Sequence, residues 1–269
     1  VPCEAHGLSS VVVLGHRGGR GEGWPAENTL EAFSRAIDEG ADGIELDVRL
    51  TSDGVAVVFH DTTLARATEG RDVRAVDRVA YAALPTIGGG LRIPRLVEVL
   101  DAMRGRIVNV EIKADVAPMS MLGNVPDRML LVQKAAAAVK EARHSEVVFS
   151  SFDPLSVLAL VALAPKVERA ILVGMKTPRA GTALPLALRY AIVAAHLDES
   201  LVTPARAERL LRSKLRLAAW TVNDPARAAE LARLGASWII TDAPGLVGAA
   251  LRPCDSHGTS SRRSLSRRR

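Results

Sequence analysis

Short runs of aliphatic and β-branched residues alternate with Ala-, Leu- and Arg-rich stretches along almost all of this 269-residue chain. No other feature constrains its fold as tightly. The apolar runs predict strands at Val11–Gly15, Gly43–Val48, Val55–Phe59, Ile107–Ile112, Val147–Ser150, Ala170–Val173, Ile192–Ala195, Leu217–Val222 and Trp238–Thr241. Between most of them lie stretches that predict helices, among them Thr29–Glu39, Arg95–Met103, Asp127–Ala142, Pro154–Leu163, Pro204–Ser213 and Pro225–Leu234. Asn28 and Asp224 stand where helix N-caps are wanted, and Gly40, Gly105 and Gly235 follow helices as stop signals. Alternation over this length favours a TIM-type (β/α)8 barrel. No glycine-rich dinucleotide fingerprint opens a helix, which weighs against an open doubly wound sheet.

Nine strands are one too many for eight staves. The odd link runs from Asp47 to His60, where T-S-D-G leaves no room for a crossover helix. If these runs form a hairpin about Ser52–Asp53, Glu45 faces His60 across the ladder. The barrel is therefore expected to be irregular here, with residues 61–94 as a small insertion after the third strand.

Only 3% of the residues are aromatic while 48% are hydrophobic, so the core must be built from Ala, Val, Leu and Ile. The net charge of +5 suggests nucleic acid until it is located. Residues 252–269 carry six Arg and one Asp, which leaves residues 1–251 neutral. The division is thus a barrel over 1–251 and a Ser/Arg-rich tail over 252–269 that cannot bury a core and is expected to be disordered. The tail offers contact with anionic surfaces, and no nucleic-acid partner is expected. Cys3 and Cys254 have no metal-ligand spacing and read as free thiols. No apolar run reaches the ~18 residues of a transmembrane span; the longest, Ala183 to Leu197, is broken by Arg189. A cytoplasmic protein is the default expectation.

The polar residues at the strand ends carry the chemistry. His16 closes V-V-V-L-G-H, Glu45 and Asp47 interrupt G-I-E-L-D-V, His60 follows V-V-F, and Glu111 and Lys113 stand in V-E-I-K. Residues two apart on a strand share a face, so each i,i+2 pair points one way. Paired carboxylates repel unless a cation sits between them or one is protonated. The C-terminal strand ends of such barrels host active sites. Carboxylates offer hard oxygens to a divalent metal, two imidazoles can give and take protons near neutral pH, and Arg17, followed by two glycines, can fork a phosphate.

These segments, with E-N-T-L-E-A-F at 27–33, G-A-D-G-I-E-L-D-V-R-L-T-S-D-G at 40–54, V-V-F-H-D at 57–61, I-P-R-L-V-E-V-L at 93–100, S-S-F at 150–152, A-W-T-V-N at 219–223 and I-I-T-D-A-P at 239–244, resemble the glycerophosphodiester phosphodiesterase family of phospholipase-C-like barrels. The resemblance implies metal-dependent hydrolysis of a small glycerophosphodiester to sn-glycerol 3-phosphate and an alcohol. It implies His16 and His60 as the general acid/base pair, and Glu45, Asp47 and Glu111 as ligands of one divalent cation, Mg²⁺ or Ca²⁺. Arg17 and Lys113 would contact the phosphate, Phe152 and Trp220 would line the alcohol side, and Glu27 would support Arg17 or approach the metal. Both attack by water and attack by a glycerol hydroxyl through a cyclic intermediate are compatible with it. The chain has W-P-A-E-N-T where the family usually shows P-E-N-T, and Arg95 stands in I-P-R-L where a threonine is usual. Lysophospholipase D action on lysophospholipids and a non-catalytic phosphodiester-binding barrel are the competing readings.

Overall fold

The computed structural model describes residues 11–114, 125–175 and 192–252. Cys3, Cys254, residues 253–269 of the tail and most of the 183–197 run lie outside these.

Eight parallel strands close into a barrel in the order β1 (Val12–His16), β2 (Gly43–Leu50), β4 (Ile107–Ile112), β5 (Val147–Ser151), β6 (Glu168–Val173), β7 (Ala194–Asp198), β8 (Arg216–Trp220) and β9 (Ala236–Thr241), with β9 pairing back onto β1. Closure leaves no stave with an unpaired edge. The supernumerary strand, β3 (Ala56–Val58), folds back antiparallel on β2. Helices α1 (Leu30–Asp38), α2 (Leu96–Ala102), α3 (Val125–Ala142), α4 (Pro154–Leu163), α5 (Pro204–Arg212), α6 (Pro225–Arg233) and α7 (Pro244–Leu251) accompany the staves. The last of these is absent from the helices named from the sequence. No described helix is long and apolar enough to cross a membrane.

The outer core is aliphatic, as the scarcity of aromatics requires. Ile44, Leu46 and Val110 of the sheet pack with Leu96, Leu100 and Leu160 of the helices on one side, and Ile171, Leu217 and Ile239 with Leu210 and Leu231 on the other. Where β2 begins alongside β4, Gly43 pairs with Ile107 and the backbones lie close: a Cβ on Gly43 would lie 2.1 Å from the Ile107 carbonyl oxygen. Gly43→Ala is therefore expected to destabilise the barrel by about 3 kcal/mol, the upper end of overpacking costs. Urea unfolding would measure it, and an unchanged midpoint would refute this account of the close approach.

Three local expectations differ from the structure. The β2–β3 hairpin turns through three residues, 52–54, with Gly54 at φ +75° and the Thr51 amide bonded to the Val55 carbonyl at 3.1 Å. The register therefore sets Val48 opposite Val58, and the Phe59 amide bonds the Asp47 carbonyl at 2.9 Å. Glu45 is thus not cross-strand from His60; a one-residue difference in turn length moved the register. The N-cap of α1 is Thr29, whose hydroxyl accepts from the Ala32 amide. Asn28 instead adopts φ +62°, a left-handed conformation that asparagine tolerates, and turns its amide inward. The predicted strand at Ile192–Ala195 begins at Ala194 and runs on to Asp198, which carries His196 into the sheet.

Between β3 and α2, residues 61–94 hold two 3-10 turns, Val76–Arg78 and Tyr81–Ala83, around a satellite cluster of Phe59, Leu64, Val76, Val79, Ile87 and Ile93. Arg95 precedes α2 and donates to Glu98 twice, from its amide at 2.8 Å and from Nη2 at 3.1 Å, and the second bond gives the unusual arginine a structural role.

Candidate active site

Parallel register brings the polar strand ends to one level. His16 pairs with Glu45, Asp47 with Glu111, and Glu111 with Ser150 across successive strands. Glu45, Asp47 and Glu111 are all buried, and one oxygen from each lies within 4.8 Å of the others. Asn28 donates to Asp47 Oδ2 at 2.9 Å, so the inward turn before α1 fixes the central carboxylate. Arg17, at φ +53°, donates its amide to Glu45 Oε2 at 3.1 Å and sets Nε 3.0 Å from Asp47 Oδ2. Gly18 packs on α1, where a Cβ would meet the Ala32 backbone at 2.7 Å. Lys113 Nζ reaches Asp47 Oδ1 at 3.0 Å and Glu111 Oε1 at 2.6 Å.

Three carboxylates this close cannot all be comfortable as anions. Burial, then repulsion from Asp47 and Glu111, pushes Glu45 well above the usual carboxylate range. Burial raises Glu111 to about 7 despite Lys113. Asp47 goes the other way: burial alone would raise it, but Lys113 and Arg17 outweigh that and hold it ionised. A cluster that keeps two of its three carboxylates above their normal range is short of positive charge. The hard-oxygen donor set and this deficit both fit a divalent cation.

Each imidazole is anchored through Nδ1 to a carboxylate. His16 Nδ1 lies 2.7 Å from Asp242 Oδ1, and His60 Nδ1 lies 2.6 Å from Asp61 Oδ1. Asp242 also accepts from Arg20 Nε at 2.9 Å and from Asn223 at 3.0 Å; burial alone would raise it, but the bonds from His16, Arg20 and Asn223 hold it well below the usual range. An ionised carboxylate at Nδ1 puts the proton there and leaves the Nε2 lone pair free. His16 Nε2 stands 3.9 Å from Glu45 Oε2. Burial lowers the pKa of His16 and of His60, so the neutral imidazole is favoured in each. Glu27 accepts from Arg17 Nη1 at 3.0 Å and from Arg66 Nη2 at 2.6 Å.

A cavity of about 250 Å³ opens between these groups. Its polar wall is His16, Arg17, Glu45, His60, Glu111 and Lys113; its apolar wall is Phe152, Leu172, Trp220 and Ile240. Phe152 and Trp220 meet edge to face with centroids 5.5 Å apart, and Trp220 Nε1 donates to the His196 carbonyl at 3.0 Å. Gly174 lies under both rings: a Cβ there would be 3.2 Å from Trp220 and 3.4 Å from Phe152. His196 is buried inside the barrel, and burial pushes it down to about 3, so it packs as a neutral ring.

Every candidate named from the sequence comes to this one end of the barrel, with Asp47 behind the cavity wall and Glu27 behind Arg17. Sequence reasoning assigned no role to Asp242, although it ends the apolar run A-S-W-I-I-T just as His16 ends its own. It took Asn28 for a cap, and it left Arg20 and Arg66 unnoticed because an arginine in a loop carries no distinguishing pattern.

Residues 16–246 match the model of the glycerophosphoryl diester phosphodiesterase family. A glycerophosphodiester phosphodiesterase of Caldanaerobacter subterraneus is 31% identical over 248 residues, spanning 87% of this chain and 95% of that one. The crystal structure of a glycerophosphodiester phosphodiesterase from Thermotoga maritima superposes with a TM-score of 0.69 at 29% identity, covering 90% of this chain and 98% of that chain. An Oleispira antarctica phosphodiesterase solved with its product sn-glycerol-3-phosphate shares the fold, with a TM-score of 0.77 at 24% identity over 90% of this chain and 97% of that chain. With the family model spanning nearly the whole described barrel, this chain belongs to the glycerophosphoryl diester phosphodiesterase family of enzymes.

Proposed function

We propose that this enzyme hydrolyses glycerophosphodiesters to sn-glycerol 3-phosphate and an alcohol, using one divalent cation and a pair of histidines. The observation that carries this reading is the cavity itself. Two carboxylate-anchored imidazoles flank it, with Glu45, Glu111, Arg17 and Lys113 on the same wall and Asp47 completing the carboxylate cluster behind it.

Arg17 and Lys113 reach the cavity with their charge still directed at Asp47, and both can turn a donor to the phosphate oxygens. A phosphodiester gains charge on those oxygens in the transition state, so these donors favour it over the ground state. One histidine, entering as the neutral ring, takes the proton from the attacking hydroxyl on Nε2. The other, entering in its protonated form with its carboxylate partner balancing the charge, delivers one from Nε2 to the departing alkoxide. Asp242 and Asp61 keep each ring in the tautomer that this needs and stabilise the imidazolium as it forms. Glu45, Asp47 and Glu111 would hold the cation, which supplies Lewis-acid stabilisation of the phosphoryl charge. With an all-oxygen donor set, Mg²⁺ and Ca²⁺ are the ions to test. Phe152 and Trp220 give the alcohol an apolar surface, with room set by Gly174.

The direct test is release of glycerol 3-phosphate from glycerophosphocholine, with Mg²⁺ or Ca²⁺ and again with EDTA. Release that depends on the metal is expected. Release unaffected by EDTA would sink the cation, and no release with either ion would sink the substrate class.

A further inference from the structure

The segment between β3 and α2 sends one side chain back to the site. Arg66 Nε lies 2.6 Å from Asp61 Oδ2, and the other oxygen of Asp61 holds His60 Nδ1 at 2.6 Å. Arg66 Nη2 lies 2.6 Å from Glu27 Oε1, the same oxygen that accepts from Arg17 Nη1 at 3.0 Å. One planar guanidinium thus spans the carboxylate behind the histidine and the carboxylate behind the arginine. We infer that Arg66 is a positioning residue for both halves of the reaction, setting the orientation of His60 for proton transfer and of Arg17 for phosphate binding.

The inference rests on the proposed function, since it needs His60 and Arg17 in those roles, but the observation is independent of it. Arg66 and Glu27 are 39 residues apart, and the contact ties the loop before α1 to the segment after β3. Arg66 is 56% exposed at the side chain, whereas Asp61 and Glu27 are 22% and 15% exposed. Ion pairs with so exposed a partner add little to stability. What this one can do is fix direction: Nε and Nη2 leave the guanidinium in one plane at a set angle, which an ammonium cannot copy. A neighbouring pair supplies the contrast. Arg74 forks Asp72, two residues away, with Nη2 at 2.6 Å, and is exposed to a similar degree, but it touches nothing in the site.

The test compares Arg66→Ala with Arg74→Ala in steady-state kinetics, with sn-glycerol 3-phosphate binding by calorimetry and the melting temperature of each. Arg66→Ala is expected to lower kcat/KM by roughly 10- to 100-fold, because small misplacements of reacting groups cost that much. The loss should divide: kcat falls through His60, while KM rises and product affinity falls through Arg17. Asp61→Asn should reproduce mainly the kcat part, and Glu27→Gln mainly the KM and product-affinity part. Adding Arg66→Ala to Asp61→Asn should change kcat little further, as expected for residues acting in series. Methylguanidinium should restore part of the lost rate to Arg66→Ala and none to Arg66→Lys. Arg74→Ala should match wild type throughout.

Wild-type kinetics in Arg66→Ala would overturn the inference. So would an equal loss in Arg74→Ala, or a loss accompanied by a fall in melting temperature, which would make Arg66 structural. Wild-type enzyme that releases no glycerol 3-phosphate would instead overturn the functional reading.

Discussion

His16→Ala is expected to lower kcat for glycerol 3-phosphate release by about 10³-fold, in the middle of the range for losing one positioned acid or base. His16 is 9% exposed, and its ring is pinned by Asp242 and faces Glu45, so no water can easily stand in with the same basicity and direction. Product binding should change little, because Arg17 and Lys113 hold the phosphate in the proposed mechanism. The fall would therefore lie in kcat with KM near its wild-type value. Single-turnover rates at saturating substrate would measure it. A kcat within tenfold of wild type would remove His16 from the chemistry.

The second large effect is expected from Asp47→Asn. Asp47 is fully buried and serves Arg17, Lys113 and Asn28 at once. The amide keeps the shape but removes the one carboxylate of the three-member cluster that the surroundings hold ionised. The cluster then lacks the anion on which cation binding depends, and two buried cations lose their common partner. Removing one member of a buried charge group costs about 3–5 kcal/mol, so urea unfolding should show the variant clearly destabilised. Calorimetric titration with Mg²⁺ and Ca²⁺ should show binding lost, with activity down by at least ~10³-fold as the several kcal/mol of Lewis-acid stabilisation disappear. Undiminished cation affinity would show that the ion sits elsewhere. Glu111→Gln makes the milder comparison, because Lys113 keeps Asp47.

What could be read in the chain was what repeats or alternates. The barrel was legible because each stave carries its own apolar run, and the surplus strand was legible because T-S-D-G has no room for a helix. Glu45, Asp47, Glu111 and Lys113 were legible because charges two apart inside such a run must share a face. The register of β3 was not, since it hangs on whether the chain reverses through two residues or three, and Gly54 decided that. Asn28 misled because asparagine suits a cap and a left-handed turn equally well, and Thr29 beside it was a sufficient cap. The partners Asp242 and Arg66 were out of reach for another reason. Their importance comes from what stands opposite them in space, and no local pattern encodes a neighbour 226 or 39 residues away.

That longest of these separations bears on how the enzyme comes into being. His16 belongs to the first stave and Asp242 follows the last, and the two meet because β9 closes onto β1. A ribosome emitting this chain will have finished the three clustered carboxylates and both histidines well before Asp242 emerges. Until then His16 has no anchor at Nδ1. Turnover would thus begin only with the final stave in place, so the onset of catalysis during synthesis or refolding becomes a clock for ring closure. A barrel dominated by such distant pairings is expected to close slowly, and under the proposed mechanism every partly built ring would be chemically silent.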